Sequence, residues 1–214
     1  MNRITKLGNK IELIGEGKTL IIGVFHGDEP QGKFLIEEYL KKYPPLGGGS
    51  KSLISGRGLL FIPCLNPDGM QLGRRTNANG VDLNRNFPTK NWGEDTSLAG
   101  DNPADYFGGT SAGSEIETQF VIDVIEKYKP ELIITLHAPY KVVNYDGPAR
   151  EIAERISEII KYPVEESIGY PTPGSFGTYA GVERQIPTIT LELDETCPVE
   201  NLIEPVFKIF DELL

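Results

Sequence analysis

The stretch LIIGVFHGDE, residues 20–29, joins an apolar run to a polar loop and decides the fold class. Residues 20–25 are apolar and rich in β-formers, which is typical of a strand covered on both faces. Gln31–Lys42 follows with apolar residues at positions 34, 35, 36, 39 and 40, a spacing that predicts an amphipathic helix. A buried strand followed by a helix is the building unit of an α/β protein.

The same alternation continues along the chain. Further buried strands are predicted at residues 59–64, 132–136 and 188–193, and further helices at residues 114–127, Arg150–Ile160 and 201–214. Ser114 is the expected N-cap of the helix at 114–127, with Glu117 completing a capping box. Residues 43–58, YPPLGGGSKSLISGRG, predict a flexible surface excursion. The pattern therefore predicts an α/β sandwich around a mostly parallel sheet, in a single domain over residues 1–214.

Composition excludes several classes of function. The chain has 214 residues, a net charge of −10 and a pI of about 4.8, which argue against nucleic acid or an anionic membrane as partner. No run reaches the roughly 18 apolar residues of a membrane span, and the N-terminus lacks a signal-peptide pattern, so we expect a cytoplasmic protein. Cys64 and Cys197 are expected to be free thiols.

Polar residues follow the predicted strands where each one ends. His26 and Glu29 come directly after the first buried strand, His137 follows LIITL, and Glu192 lies near the end of TITLEL. In an α/β protein these positions meet at one edge of the sheet. The chain has only two histidines, and two imidazoles with one carboxylate are typical of a catalytic zinc site. The motif His-x-x-Glu would be weak evidence by itself.

A second group of candidates lies in QLGRRTNANGVDLNRNFP, residues 71–88. Its three arginines are either a solvated basic loop or a pocket that binds carboxylates, and the adjacent Asn84 and Arg85 favour the pocket. Asp82 is a surface turn residue or the carboxylate that orients a zinc-bound histidine. Glu192 either faces outward from its strand or serves as a general base beside the metal.

Together these segments resemble the zinc metallocarboxypeptidases of the carboxypeptidase A and B type. HGDE is similar to the family's zinc motif, GRRT and GVDLNRNFP to its arginine and Asn-Arg segments, and TLHAPY and LELDE to its third-ligand and general-base segments. YFGGTSAGSEIETQF is similar to a further family stretch, and GYPTPGSFGTYAG resembles the bacterial murein peptide amidases. The matches run in order from residue 20 to residue 195.

The resemblance implies a three-layer α/β/α sandwich whose mixed, mostly parallel sheet has about eight strands. It also implies one Zn²⁺ per chain and a role for each matched residue. His26, Glu29 and His137 would be the metal ligands, Glu192 the general base, Arg74 the arginine that polarises the scissile carbonyl, Asn84 and Arg85 the pair that binds the terminal carboxylate, and Asp82 the carboxylate that orients His26. Tyr170 would be the tyrosine that contacts substrate, with Tyr179 as the alternative.

The activity implied is hydrolysis of a C-terminal amide bond in a small peptide with a free carboxylate, specifically the γ-D-glutamyl–diaminopimelate bond of murein peptides. Two alternatives stay open. One is an N-acyl amino acid deacylase of the succinylglutamate desuccinylase or aspartoacylase type, which shares His-x-x-Glu, Asp-x-Asn-Arg and a later histidine. The other is a zinc-containing protein that binds peptidoglycan fragments without turnover.

Overall fold

The computed structural model describes residues 1–44, 58–93, 102–166 and 169–212. Its strands are β1 (Asn2–Ile4), β2 (Lys10–Glu12), β3 (Ile14–Gly15), β4 (Thr19–Gly23), β5 (Leu59–Ile62), β6 (Leu132–His137), β7 (Val142–Asp146), β8 (Val164–Glu165) and β9 (Thr188–Glu192). Its α-helices are α1 (Gln31–Lys42), α2 (Pro67–Leu72), α3 (Ile116–Tyr128), α4 (Arg150–Ile160) and α5 (Ile203–Glu212). Short 3₁₀ turns lie at Leu83–Arg85, Pro103–Tyr106 and Val199–Leu202, and a π-helical turn at Thr178–Val182.

One mixed sheet forms the centre of the fold. Over the described residues it has seven strands in the order β3-β5-β4-β6-β9-β7-β8. The four central strands β5, β4, β6 and β9 are parallel, whereas β3 and β7 run antiparallel to β5 and β9. β1 and β2 pair separately as an antiparallel hairpin. The predicted mixed, mostly parallel sheet is confirmed, with seven strands in place of about eight.

The central strands are buried on both faces. Because successive side chains of a strand point to opposite sides of the sheet, neighbouring residues enter different cores. Ile21 packs on one side with residues of α1, α4 and α5. Its neighbours Leu20 and Ile22 pack on the other side with residues of α3. Two apolar cores thus lie above and below the sheet, which confirms the three-layer arrangement.

Helices α1 and α4 have the predicted bounds, but the capping box is wrong. Helix α3 begins two residues after Ser114, and its N-cap is Glu115, which makes no capping hydrogen bond through its side chain. The Ser114 hydroxyl donates to the carboxylate of Glu115 at 2.6 Å. Glu117 is buried, and its carboxylate accepts a hydrogen bond from the amide of Asn77. The side chain therefore makes a tertiary contact and does not complete a capping box.

The remaining predictions concern the surface excursion, the two cysteines and membrane-spanning helices. Of the expected surface excursion at 43–58, residues 45–57 lie outside the described part of the chain. Both cysteines are free thiols as expected, with Cys64 buried and Cys197 partly buried. Over residues 1–44, 58–93, 102–166 and 169–212, no helix has the length and apolar character needed to cross a membrane.

Candidate active site

Three side chains converge at the carboxyl ends of β4 and β6. His26 and Glu29 lie in the loop after β4, and His137 is the last residue of β6. Glu29 bridges the histidines, with Oε1 2.7 Å from His26 Nδ1 and Oε2 3.0 Å from His137 Nδ1. The structure therefore brings together the three predicted ligands, and their ligand atoms all lie within 4.8 Å of one another.

These donors fit a zinc ion. Two imidazole nitrogens bound at about 2.0–2.1 Å in tetrahedral positions lie about 3.4 Å apart. The Nδ1 atoms of His26 and His137 are 3.3 Å apart. Two neutral imidazoles cannot present lone pairs to each other at this distance without a proton or a cation between them. Two histidines with one carboxylate also leave a coordination position for water or substrate, which a catalytic zinc requires.

The loop that carries two of these ligands turns sharply. Val24 has φ of +56°, in the left-handed region that a β-branched residue rarely adopts, and β4 therefore ends at Gly23 although the apolar run continues to Phe25. Gly27 passes so close to α2 that a Cβ atom there would lie 2.0 Å from the carbonyl carbon of Gly69. Only glycine fits at that position of the HGDE loop.

Asp82 connects the ligands to an arginine. Its fully buried carboxylate lies 3.3 Å from Nε2 of His26 and accepts from Nε and Nη2 of Arg75, both at 3.1 Å. Burial raises the pKa of Asp82, but Arg75 and His26 hold it well below its usual range. An ionised carboxylate at Nε2 favours the ring with its proton there, which leaves Nδ1 free to bind a metal. Asp82 thus lies where the orienting carboxylate was predicted.

The structure places Arg75 in the cleft, where the motif predicted Arg74. Arg74 is exposed, and its guanidinium donates to the carbonyl of Asn77, away from the cleft. The physical reason is that the buried carboxylate of Asp82 requires a cation. Arg75 is the arginine that lies next to the HGDE loop, residues 26–29. The carbonyl of Arg75 accepts from the backbone N–H of Gly27 at 3.2 Å. The resemblance of GRRT to the family motif had assigned the role to Arg74 alone.

Asn84 and Arg85 line the same cleft, as predicted. The side-chain oxygen of Asn84 accepts from the backbone N–H of Phe176 at 2.8 Å, which makes its amide NH₂ the group available to a ligand. Arg85 is only 2% exposed, and its Nε has no hydrogen-bond partner among the described residues. A buried guanidinium N–H without a partner is costly, and a ligand carboxylate would satisfy it.

Tyr106 packs against both cleft arginines. Its ring centre lies 5.0 Å from Cζ of Arg75 and 5.6 Å from Cζ of Arg85. Such cation–π contacts hold two like charges on one side of the cleft. Tyr106 belongs to the YFGG segment. That segment resembled the family in sequence, but the contact of Tyr106 with the two cleft arginines was not predicted.

Glu192 is the last residue of β9 and pairs in parallel register with His137. It is 7% exposed, lines the cleft, and its Oε2 has no hydrogen-bond partner within the described part of the chain. Burial raises the pKa of Glu192 above its ordinary value, although His137 opposes the shift. A buried carboxylate of raised pKa beside a metal site suits a general base, and the outward-facing alternative does not hold.

The two candidate tyrosines differ in position. Tyr170 lines the cleft, whose volume is about 300 Å³. Tyr179 is 2% exposed and packs against Phe87 and the guanidinium of Arg184 in the core below α3. Tyr170 is therefore the tyrosine placed to contact a ligand.

A buried polar network anchors the loop that carries Arg75 and Asp82. The amide of Asn77 donates to Glu115 at 2.8 Å and to Glu117 at 3.3 Å, both at the start of α3. Burial, together with the neighbouring Glu115, raises the pKa of Glu117 to about 7, so this carboxyl is partly protonated near neutral pH. The loop is thus tied to α3 through the two glutamates.

Comparison with known proteins places the chain in a family. Residues 6–151 match the family model described as zinc carboxypeptidase. The chain is 36% identical to murein peptide amidase A of Escherichia coli over 166 residues, which cover 75% of this chain and 64% of that protein. It is 39% identical to murein peptide amidase A of Vibrio campbellii over 139 residues, which cover 62% of this chain and 55% of that protein. The chain thus spans less than two thirds of the length of these relatives.

Solved structures share the fold. The crystal structure of the murein-tripeptide amidase MpaA from Escherichia coli O157 aligns with a TM-score of 0.77 at 30% identity, covering 98% of this chain and 88% of that one. The carboxypeptidase A from Helicoverpa armigera aligns with a TM-score of 0.69 at 17% identity, covering 98% of this chain and 65% of that one, which shows the fold alone. By the extent of the family match, this chain belongs to the zinc carboxypeptidase family.

Proposed function

We propose that the chain is a zinc-dependent carboxypeptidase or amidase that removes a C-terminal residue with a free carboxylate from a small peptide. One zinc ion per chain would be held by His26, Glu29 and His137. The observation that carries the proposal is that these ligands share one cleft with Glu192 and Arg85. A hydrolytic centre and a buried, unsatisfied carboxylate-binding group in the same cleft are the two requirements of a carboxypeptidase.

Each of these cleft residues has a separate role in the proposed hydrolysis. Arg85 and Asn84 bind the terminal carboxylate and thereby set which amide bond reaches the metal end of the cleft. When bound, zinc polarises the scissile carbonyl and makes water a stronger acid. Glu192 accepts a proton from the attacking water and passes it to the leaving amine nitrogen. Arg75 donates hydrogen bonds to the negative charge that develops on the carbonyl oxygen, the role that the sequence motif had given to Arg74.

We further propose that the substrate is a murein peptide cleaved at the γ-D-glutamyl–diaminopimelate bond. The names of the Escherichia coli and Vibrio campbellii relatives support a murein peptide as substrate. Diaminopimelate in this bond carries a free carboxylate next to the scissile nitrogen, as the Asn84–Arg85 pair requires. A cytoplasmic location would suit an enzyme that recycles cell-wall peptides.

A substrate panel tests this proposal. The zinc-loaded protein is incubated with L-Ala-γ-D-Glu-diaminopimelate, an ordinary α-linked peptide, N-acetylaspartate and N-succinylglutamate, and the products are separated by liquid chromatography. We expect release of diaminopimelate with the highest kcat/KM of the panel. Hydrolysis of the N-acyl amino acids alone would establish the deacylase alternative, and stoichiometric peptide binding without product would establish a non-catalytic binding protein.

A further inference from the structure

One carboxylate of the cleft has no part in the proposed reaction. Asp146 is the last residue of β7 and lines the cleft. Within the described residues, no hydrogen-bond donor or cation contacts its carboxylate. Burial alone raises the pKa of Asp146 to about 6, and no neighbouring charge contributes. A partly buried carboxylate without a partner is costly, so its position requires an explanation.

The register of β7 directs Asp146 into the cleft. Val143 and Tyr145 pack in the core with α1, α4 and α5, so the alternate residues Asn144 and Asp146 face the opposite side of the sheet. That side is the one that carries Glu192, because β7 and β9 pair with Asn144 opposite Thr190. Asp146 lies four residues along the strand from the row of Glu192, which is roughly 13 Å at about 3.3 Å per residue.

Two glycines make room for this carboxylate. A Cβ atom on Gly177 would lie 2.0 Å from Oδ2 of Asp146, and one on Gly181 would lie 2.4 Å from its Cβ. Neither position tolerates a side chain while Asp146 keeps its place. The GSFGTYAG segment therefore packs closely against the Asp146 side chain, and the carboxylate lies at the end of the cleft that Gly177 also lines.

We propose that Asp146 binds an ammonium group at the far end of the leaving residue's side chain. This inference rests on the proposed function, because it takes the terminal carboxylate to be held by Arg85 and the scissile nitrogen to lie beside Glu192. The leaving residue then spans the distance to Asp146 only with a long side chain. An ammonium group there gives the carboxylate the partner that it lacks, whereas a carboxylate or an apolar end leaves it unpaired. The substrate class is thus a C-terminal diamino acid.

A matched pair of peptides tests the role of Asp146. L-Ala-γ-D-Glu-diaminopimelate and the same peptide ending in L-2-aminopimelate differ only in the distal ammonium group. We expect the wild type to prefer the diaminopimelate peptide by about tenfold to a hundredfold in kcat/KM, as one buried charge-assisted hydrogen bond gives. Asp146→Asn keeps the shape, lowers kcat/KM for the diaminopimelate peptide, and raises it for the aminopimelate peptide by removing a repulsion.

Opposite changes on the two peptides cannot come from general damage to the protein. Glu195→Gln removes an equal charge from the exposed rim of the cleft, and we expect it to leave the ratio of the two peptides unchanged. Equal loss on both peptides in Asp146→Asn, or no preference in the wild type, would overturn the role of Asp146 and leave the proposed function standing. Failure of the zinc-loaded wild type to cleave either peptide would instead contradict the proposed function itself, and the role of Asp146 with it.

Discussion

The Nδ1 atoms of His26 and His137 lie 3.3 Å apart although 111 residues separate them in the chain. The contact follows from the parallel pairing of β4 and β6, which brings the carboxyl ends of these strands together. Glu29 contacts both rings, and Asp82 lies behind His26. The sheet thus brings together candidate metal ligands that follow two different strands, and the predictions on zinc binding and hydrolysis depend on what this pair of histidines holds.

Replacing Glu192 by Gln tests the general base. The amide keeps the shape of the side chain but cannot accept a proton from water, so we expect kcat to fall by about 10²–10⁴-fold. Zinc content, measured by atomic emission, should stay near that of the wild type because Glu192 is not among the proposed ligands. Substantial turnover in this variant would exclude Glu192 as the base.

The two arginines of GRRT are distinguished by a pair of lysine substitutions. Arg75→Lys removes the forked donor that contacts Asp82 and faces the cleft, and we expect kcat to fall by about 10²–10³-fold. Arg74→Lys is the matched control, since the side chain is exposed and lies outside the cleft, and its kcat should stay within about twofold of the wild type. Steady-state kinetics on the murein peptide measure both. The reverse order of effects would restore Arg74 to the role that the motif predicted.

Arg85 is tested by the form of the substrate's C-terminus. The wild type should prefer a peptide with a free terminal carboxylate over its C-terminal amide, because only the acid satisfies the buried guanidinium. Arg85→Lys should lose most of this preference, mainly through a raised KM for the free acid. If the variant discriminates between acid and amide as well as the wild type does, the carboxylate is bound elsewhere.

Glu117 predicts a pH dependence of stability. Its pKa is about 7 in the folded chain and about 4.5 in the unfolded chain. Between these values the folded chain keeps a proton that the unfolded chain has lost, so the contribution of Glu117 to stability is largest below pH 4.5 and declines up to pH 7. The decline is about 3 kcal/mol at most.

Urea unfolding of the metal-free chain at pH 5 and pH 8 measures this effect. Glu117→Gln should gain free energy of unfolding relative to the wild type as the pH rises, because the amide cannot ionise. Glu126→Gln, at an exposed position of the same helix, serves as the control and should follow the wild type. Identical pH profiles for the wild type and Glu117→Gln would show that Glu117 is ionised in the folded chain throughout.

The sequence predicted the parts of the fold that depend on local periodicity. Helices α1 and α4 and the core of the sheet were found because apolar spacing alone determines them. Strand β7 was missed because its five residues, VVNYD, alternate between the apolar core and a polar cleft, and a short alternating run resembles a loop. With β7 the candidate Asp146 was missed too.

The structure brings together the predicted metal-ligand residues, and it places Arg75 in the cleft where the motif had named Arg74. His26, Glu29 and His137 come together as expected. They could be named from the sequence because the chain has only two histidines and both follow predicted strands. Arg74 and Arg75 are adjacent and chemically identical, so their roles depend on a tertiary contact, the buried carboxylate of Asp82. Spacing along the chain carries no information on that contact.

Zinc-dependent hydrolysis is tested most directly by a zinc titration of metal-free protein that follows binding by calorimetry and peptide hydrolysis in the same samples. We predict that activity rises in proportion to bound zinc and saturates at one ion per chain, and that His137→Ala abolishes both the binding and the hydrolysis. Undiminished hydrolysis by chelator-treated protein that contains no zinc would show that the reaction does not require the metal site.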